Sequence, residues 1–155
     1  MKKTLSFIAF LLLPLLVGGI SGFFTAEGVN TWYNTLVRPS FNPPGWVFGP
    51  VWTTLYILMG ISSWRIFRQN PSRERTAALG IYFLQLALNF CWSFIFFRFH
   101  FLSAALVEIV LLWCCILWMI ARFYRLDRSA AIMNIPYLAW VSFATALNAA
   151  YALLN

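Results

Sequence analysis

Acidic residues are scarce in this sequence, with 4 Asp and Glu in 155 residues, and there is one histidine, His100. A Ser/His/Asp triad or a histidine-based metal cluster therefore has almost nothing to be built from. No pair of carboxylates, glycine-rich phosphate loop or activated nucleophile is present either. The three cysteines, Cys91, Cys114 and Cys115, all lie inside apolar runs. A thiol there behaves as a small hydrophobe, so neither a disulfide nor a metal site is expected. Charged residues make up only 10% of the chain against 62% hydrophobic ones, and the mean hydropathy is +0.78. That balance excludes an ordinary soluble fold. The formal net charge of +7 does not indicate a nucleic-acid partner, because the basic residues sit between apolar blocks rather than on a hydrophilic face.

What the sequence has in abundance is long apolar runs. About 30 Å of hydrocarbon crossed at 1.5 Å per residue needs roughly 20 mostly apolar residues. Windows from Leu5 to Phe24, Trp46 to Phe67, Ala77 to Phe97, Leu102 to Phe123 and Ala130 to Leu154 meet that length. Each must be helical, since a helix satisfies its backbone amides and carbonyls within its own segment. The expected fold is an all-α membrane protein, one domain over residues 1–155, with five transmembrane helices and a structured loop between the first and second. Lys2 and Lys3 before the first run resemble a signal peptide, but no Ala-x-Ala site follows, and a retained helix is expected. Within it Gly18 and Gly22 form a GxxxG, which either lets another helix approach, as in a homodimer, or packs within the monomer.

Basic residues set the orientation. Lys2, Lys3, Arg65, Arg68, Arg73, Arg75, Arg122, Arg125 and Arg128 fall on the N-terminal side, leaving only Arg38 and Arg98 opposite. In a bacterial cell membrane this puts the N-terminus in the cytoplasm and the C-terminus outside. The connections are short except Thr25 to Gly45, whose aromatic, Asn and Pro residues suit a loop folded back on the helix ends rather than a flexible linker. A helical turn is expected near Thr31 to Leu36, capped by Asn30 or Thr31. Pro43 and Pro44 suit the first turn of the second helix, and Pro50 within that helix is expected to open its backbone slightly.

Aromatic residues make up 19% of the chain. Trp32, Trp46, Trp64, Trp113 and Tyr124 can each be explained as anchors at the headgroup layer. Other rings share helical faces with amides at spacings of three and four. The third span aligns Gln85, Asn89, Trp92 and Phe96; the second aligns Trp52, Tyr56 and Met59. The fifth aligns Pro136, Trp140, Phe143 and Leu147 on one face, and Tyr137, Ala144, Asn148 and Tyr151 on the next. An amide facing lipid is costly, so these faces point inward. Either they glue the bundle together, or they line a pocket for a flat apolar ligand. The first and fourth spans look mainly like packing and lipid contact. Glu108 is the one acid well inside a span, which makes it a functional candidate; the favoured reading is that, near the start of its helix, it snorkels or pairs with Arg98.

Three blocks sharpen this reading. WYNTLVRPSFNPPGWVFGPVWTTLY from Trp32 to Tyr56, QLALNFCWSFIFF from Gln85 to Phe97 and PYLAWVSFATALN from Pro136 to Asn148 resemble, in order and separation, the signatures of the tryptophan-rich sensory protein/translocator protein family (TspO, also called the peripheral benzodiazepine receptor family). The resemblance covers nearly the whole chain. It implies a five-helix bundle with a pocket beneath the first loop, binding porphyrins or haem and synthetic benzodiazepine-type or isoquinoline-carboxamide ligands. By motif position that pocket includes Tyr33, Pro44, Trp52, Asn89, Trp92, Trp140 and Phe143. No cofactor is required; porphyrin or haem is expected as ligand. Three functions follow from the resemblance: a receptor or sensor for tetrapyrroles, an enzyme degrading bound porphyrin in light through Trp52 and Trp140, and a porphyrin or sterol transporter. Alternating access usually needs an inverted repeat or broken helix pair, and neither is visible. Tyr151 is followed by Ala-Leu-Leu-Asn with no Lys or Arg, so the sterol pattern of some members is missing there.

Overall fold

In the computed structural model, which describes residues 2–155, the described elements are helices and two 3-10 turns, with no strand among them. Helix α1 runs Lys2–Asn30, α2 Phe48–Phe67, α3 Arg73–Phe97, α4 Leu102–Leu126, α5 Arg128–Ile132 and α6 Ile135–Leu154. Five segments are long and apolar enough to cross a membrane: Lys3–Ala26, Gly45–Phe67, Arg73–Phe97, Leu102–Leu126 and Arg128–Leu154. The chain is thus an integral multi-pass membrane protein. Large apolar side chains such as Leu5 (71% exposed), Phe23 (78%) and Val107 (64%) cover its outer surface, as a surface solvated by lipid tails requires.

Lipid is as apolar as leucine, so helix association rests on close packing and interhelical hydrogen bonds rather than on expelling water. Helix α1 packs on α2 and α3, while α4 packs on α3, α5 and α6. Gly60 lets α2 approach α1: a Cβ there would lie 2.8 Å from Leu11 Cα and Phe10 O. The core joins Met59 and Ile66 of α2, Tyr82 of α3, Ile116, Met119 and Phe123 of α4 and Val141 of α6. A second cluster of Phe96, Ala105, Leu147 and Tyr151 lies under the loop, packed against Trp32, Tyr33, Leu36 and Phe48.

Several boundaries differ from the sequence reading, each for a local reason. Helix α1 continues six residues past Phe24, to Asn30, because backbone hydrogen bonds persist after hydropathy falls and nothing in TAEGVN forbids them. The expected turn is a 3-10 turn, Tyr33–Thr35, with Trp32 rather than Thr31 at its N-cap and no side-chain cap bond; the side chain of Asn30 lies outside the described residues. Pro43 and Pro44 precede α2, Pro44 standing at the N-cap of a 3-10 turn, Gly45–Val47. Pro50 is the third residue of α2, where backbone N–H groups lack intrahelical acceptors anyway, so it opens nothing.

The fifth span is broken at Met133 and Asn134. Pro136 lacks an N–H and sits in the first turn of α6, so the preceding turn cannot continue as one helix. The Asn134 side chain fills part of the gap, its Nδ2 donating to Ala130 O at 2.9 Å and to Ser62 Oγ at 2.8 Å. At the same end Asp127 caps α5 by accepting from Ala130 N at 3.0 Å and pairs with Arg65 at 2.9 Å. Glu108 neither snorkels nor pairs with Arg98. It lies on the buried α4 stripe with Ala105, Ile109 and Leu112, is 8% exposed, and neither carboxylate oxygen has a hydrogen-bond partner among the described residues.

Candidate ligand cavity

A cavity of about 540 Å³ lies beneath the loop joining α1 and α2, bounded by α1, α2, α3 and α6. That volume falls within the range of about 300–1,000 Å³ usual for small-molecule sites. The inward faces of α2, α3 and α6 supply Trp52, Tyr56, Asn89, Trp92, Phe96, Trp140, Asn148 and Tyr151 to its wall, and Tyr33 reaches it from the loop. Of the residues expected from the sequence, Tyr33, Trp52, Asn89, Trp92 and Trp140 line this space. Pro44 lines an adjoining cavity of about 410 Å³ within the loop. Phe143 lines neither; it packs against Trp140 at 5.5 Å and Phe41 at 6.3 Å between ring centroids.

The sequence reads helix α1 mainly as packing and lipid contact, yet it also forms one wall through Leu15, Gly18, Gly19, Ser21, Gly22, Thr25 and Ala26. Its small residues create the room. A Cβ on Gly18 would fall 2.2 Å from Tyr56 Cε2, so only glycine lets that ring pack flush against the helix. A Cβ on Gly22 would meet nothing within 4 Å. The GxxxG thus seats a ring and lines a cavity within the monomer. The run GGISG was its visible signal in the sequence.

Polar groups around the cavity form a directed chain. Tyr56 OH donates to Asn89 Oδ1 at 2.7 Å, Asn89 Nδ2 to Tyr137 OH at 3.2 Å, and Tyr137 OH to Gln85 Oε1 at 2.8 Å. Gln85 Nε2 ends on Met59 Sδ at 3.8 Å. Gln85, Asn89 and Tyr137 are all at most 3% exposed, so each bond replaces one that neither lipid nor water supplies there. Trp92 is oriented separately, its Nε1 donating to Asn148 Oδ1 at 3.1 Å, while Asn148 Nδ2 donates to Leu102 O at 3.0 Å. Among the described residues, two buried polar atoms of lining residues, Ser21 Oγ and Trp140 Nε1, have no hydrogen-bond partner.

The loop is tied to the end of α6. Tyr151 OH donates to Tyr33 OH at 2.8 Å, and Tyr33 OH donates to Asn42 Oδ1 at 3.0 Å. Asn155 Oδ1 accepts from Val37 N at 2.8 Å, and its Nδ2 donates to Val37 O at 3.2 Å. Burial, reinforced by the Tyr151 hydroxyl, pushes the Tyr33 phenol well above its ordinary pKa, so it stays neutral at any physiological pH. Trp32 stacks on His100 at 4.2 Å, joining the loop to the α3–α4 turn.

Five membrane spans around an aromatic cavity of small-molecule size, roofed by the first loop, define a class: small helical membrane proteins with an internal cavity. The comparisons narrow the class. The model of the TspO/MBR family matches residues 10–154. The chain is 41% identical over 154 residues to the tryptophan-rich protein TspO of Archaeoglobus fulgidus, covering 97% of each chain. It is 39% identical over 155 residues to the protein of the same name from Chlorobaculum tepidum, covering 99% of this chain and 98% of that one. With the human translocator protein it shares 39% identity over 130 residues, 83% of this chain and 76% of the other. The chain belongs to the TspO/MBR family.

Proposed function

We propose that this protein is a membrane receptor or sensor that binds tetrapyrroles such as protoporphyrin or haem, and related flat apolar ligands, in the cavity under the α1–α2 loop. One observation carries the reading: three indoles, Trp52, Trp92 and Trp140, converge on a single space of about 540 Å³ that Asn89 and Asn148 also line. Rings supply the stacking area that a flat ligand needs, and a few polar side chains in the wall orient it. The excess of Arg around the α2–α3 and α4–α5 connections, with Lys2 and Lys3 at the N-terminus, favours a bacterial-type orientation with the N-terminus in the cytoplasm, which puts the roofing loop on the outer side. Protoporphyrin titrated into the protein in detergent should quench tryptophan fluorescence saturably, and Trp140→Ala or Trp52→Ala should weaken binding by about tenfold, the equivalent of roughly 1.4 kcal/mol. Unchanged affinity in both variants would refute the site.

A second reading uses the same geometry. Trp52 stacks on Tyr56 at 5.5 Å and Trp140 packs on Phe48 at 5.9 Å, so oxidisable rings lie on the wall against which a porphyrin would rest. Light-dependent oxidative breakdown of the bound porphyrin, with dioxygen as oxidant, needs no acid, base or metal from the protein. Illumination that bleaches protoporphyrin equally with wild type and with the Trp52→Phe/Trp140→Phe variant would exclude it.

A further inference from the structure

The loop cavity has a chemistry that the inner one lacks. Val29, Tyr33, Gly45 and Phe48 line both, so the two spaces share a wall to which Tyr33 contributes. The inner wall contains no Lys or Arg, whereas the loop cavity holds one cation, Arg38, flanked by Asn34 and Asn42. Among the described residues, no ion pair forms at Arg38. The one salt bridge among the described residues, Arg65–Asp127, is at the other end of the bundle. Arg38 Nη2 donates to the neutral Asn34 Oδ1, which leaves most of the five guanidinium donors available.

Its backbone is also held. Both peptide groups of Val37, immediately before it, are bonded to the Asn155 side chain, and Pro39, immediately after it, is buried with its φ fixed by the ring. A positive fork on pinned backbone beside a neutral aromatic cavity suits a ligand that is apolar over its body and anionic at one edge.

We propose that the Arg38 cavity is an anion subsite that takes a carboxylate on the edge of the ligand whose flat body occupies the inner cavity. This rests on the tetrapyrrole reading and narrows it: the preferred ligands are those with free carboxylates. Tyr33 contributes to the wall the two compartments share, its ring against the body of the ligand and its hydroxyl fixed by Tyr151 and Asn42. The subsite therefore selects among ligands that the inner cavity alone would not distinguish.

The test compares protoporphyrin with its dimethyl ester, which has the same ring without the negative charge. Each is titrated by tryptophan quenching against wild-type and Arg38→Gln protein in phosphatidylcholine nanodiscs. Dividing the diacid-to-ester affinity ratio of wild type by that of Arg38→Gln cancels the different partitioning of the two ligands. Wild type should show a preference for the diacid about five- to tenfold greater than the variant does, one charge-assisted hydrogen bond discounted for solvent exposure. Arg38→Gln should lose that margin while binding the ester as wild type does. The same diacid-to-ester ratio in wild type and Arg38→Gln, whether both ligands bind unchanged or both are weakened equally, would overturn the subsite and leave the inner cavity standing. Failure of both ligands to bind wild type would overturn the tetrapyrrole reading and the subsite together. A preference erased by replacing phosphatidylcholine with phosphatidylglycerol would reassign Arg38 to a lipid headgroup and overturn the proposal.

Discussion

Replacing Tyr137 with phenylalanine removes one oxygen from the middle of the buried chain and leaves the ring in place. That oxygen accepts from Asn89 Nδ2 at 3.2 Å and donates to Gln85 Oε1 at 2.8 Å, and Tyr137 is 1% exposed. Two hydrogen bonds are lost, and two buried amide groups are left without those partners. Soluble-protein values for an orphaned buried group, about 1–3 kcal/mol each, would put the total at roughly 2–6 kcal/mol. In a membrane the loss is smaller, because helices in the unfolded reference also find partners; interhelical bonds there average about 0.6 and reach about 1.7 kcal/mol. The expected destabilisation is therefore about 1–3 kcal/mol. Reversible unfolding in mixed micelles measures it, with Gln85→Leu and the double variant completing a cycle. A coupling of about 0.5 kcal/mol or more between the two sites is expected from their contact. A loss below about 0.3 kcal/mol with no coupling would refute the view that this network holds α2, α3 and α6 together.

Three further outcomes follow. Gly22→Leu puts a side chain into open cavity space and should weaken protoporphyrin binding at least tenfold with little change in thermal stability, whereas Gly18→Val should destabilise the fold by displacing the Tyr56 ring; stability measurements beside titrations separate the two. Asn155→Ala removes both bonds to Val37 and should speed hydrogen exchange across residues 36–39 by several-fold while leaving α2–α4 protection unchanged. Because the Tyr33 pKa is raised above its ordinary 10.0, unfolded protein loses that proton first as pH rises. Stability contributed there is complete below about pH 10 and declines above it, and alkaline unfolding should show less of this loss in Tyr33→Phe.

The spans and the inward faces were readable because period and hydropathy are local. Gln85, Asn89, Trp92 and Phe96 recur at three and four residues, and the first two are costly to leave in lipid. The α1 wall was not readable in the same way. Glycine carries no side chain to register on a face, so GGISG reads equally as a helix contact or as empty space, and only the position of Tyr56 decides. Asn155 pins the loop across 118 residues, a contact no local pattern encodes. Phe143 shares a helical face with Trp140 but packs behind it, on Phe41; spacing identifies the face and not the depth. Glu108 was assigned to the interface from its distance along the helix, whereas its rotation on α4 turns it into the bundle.

A structure of the protein with protoporphyrin in a lipid environment tests the central claim most directly. The macrocycle should lie in the inner cavity, against Trp52 and Trp140. A macrocycle seated on the lipid-facing surface, with the inner cavity unchanged, would contradict it.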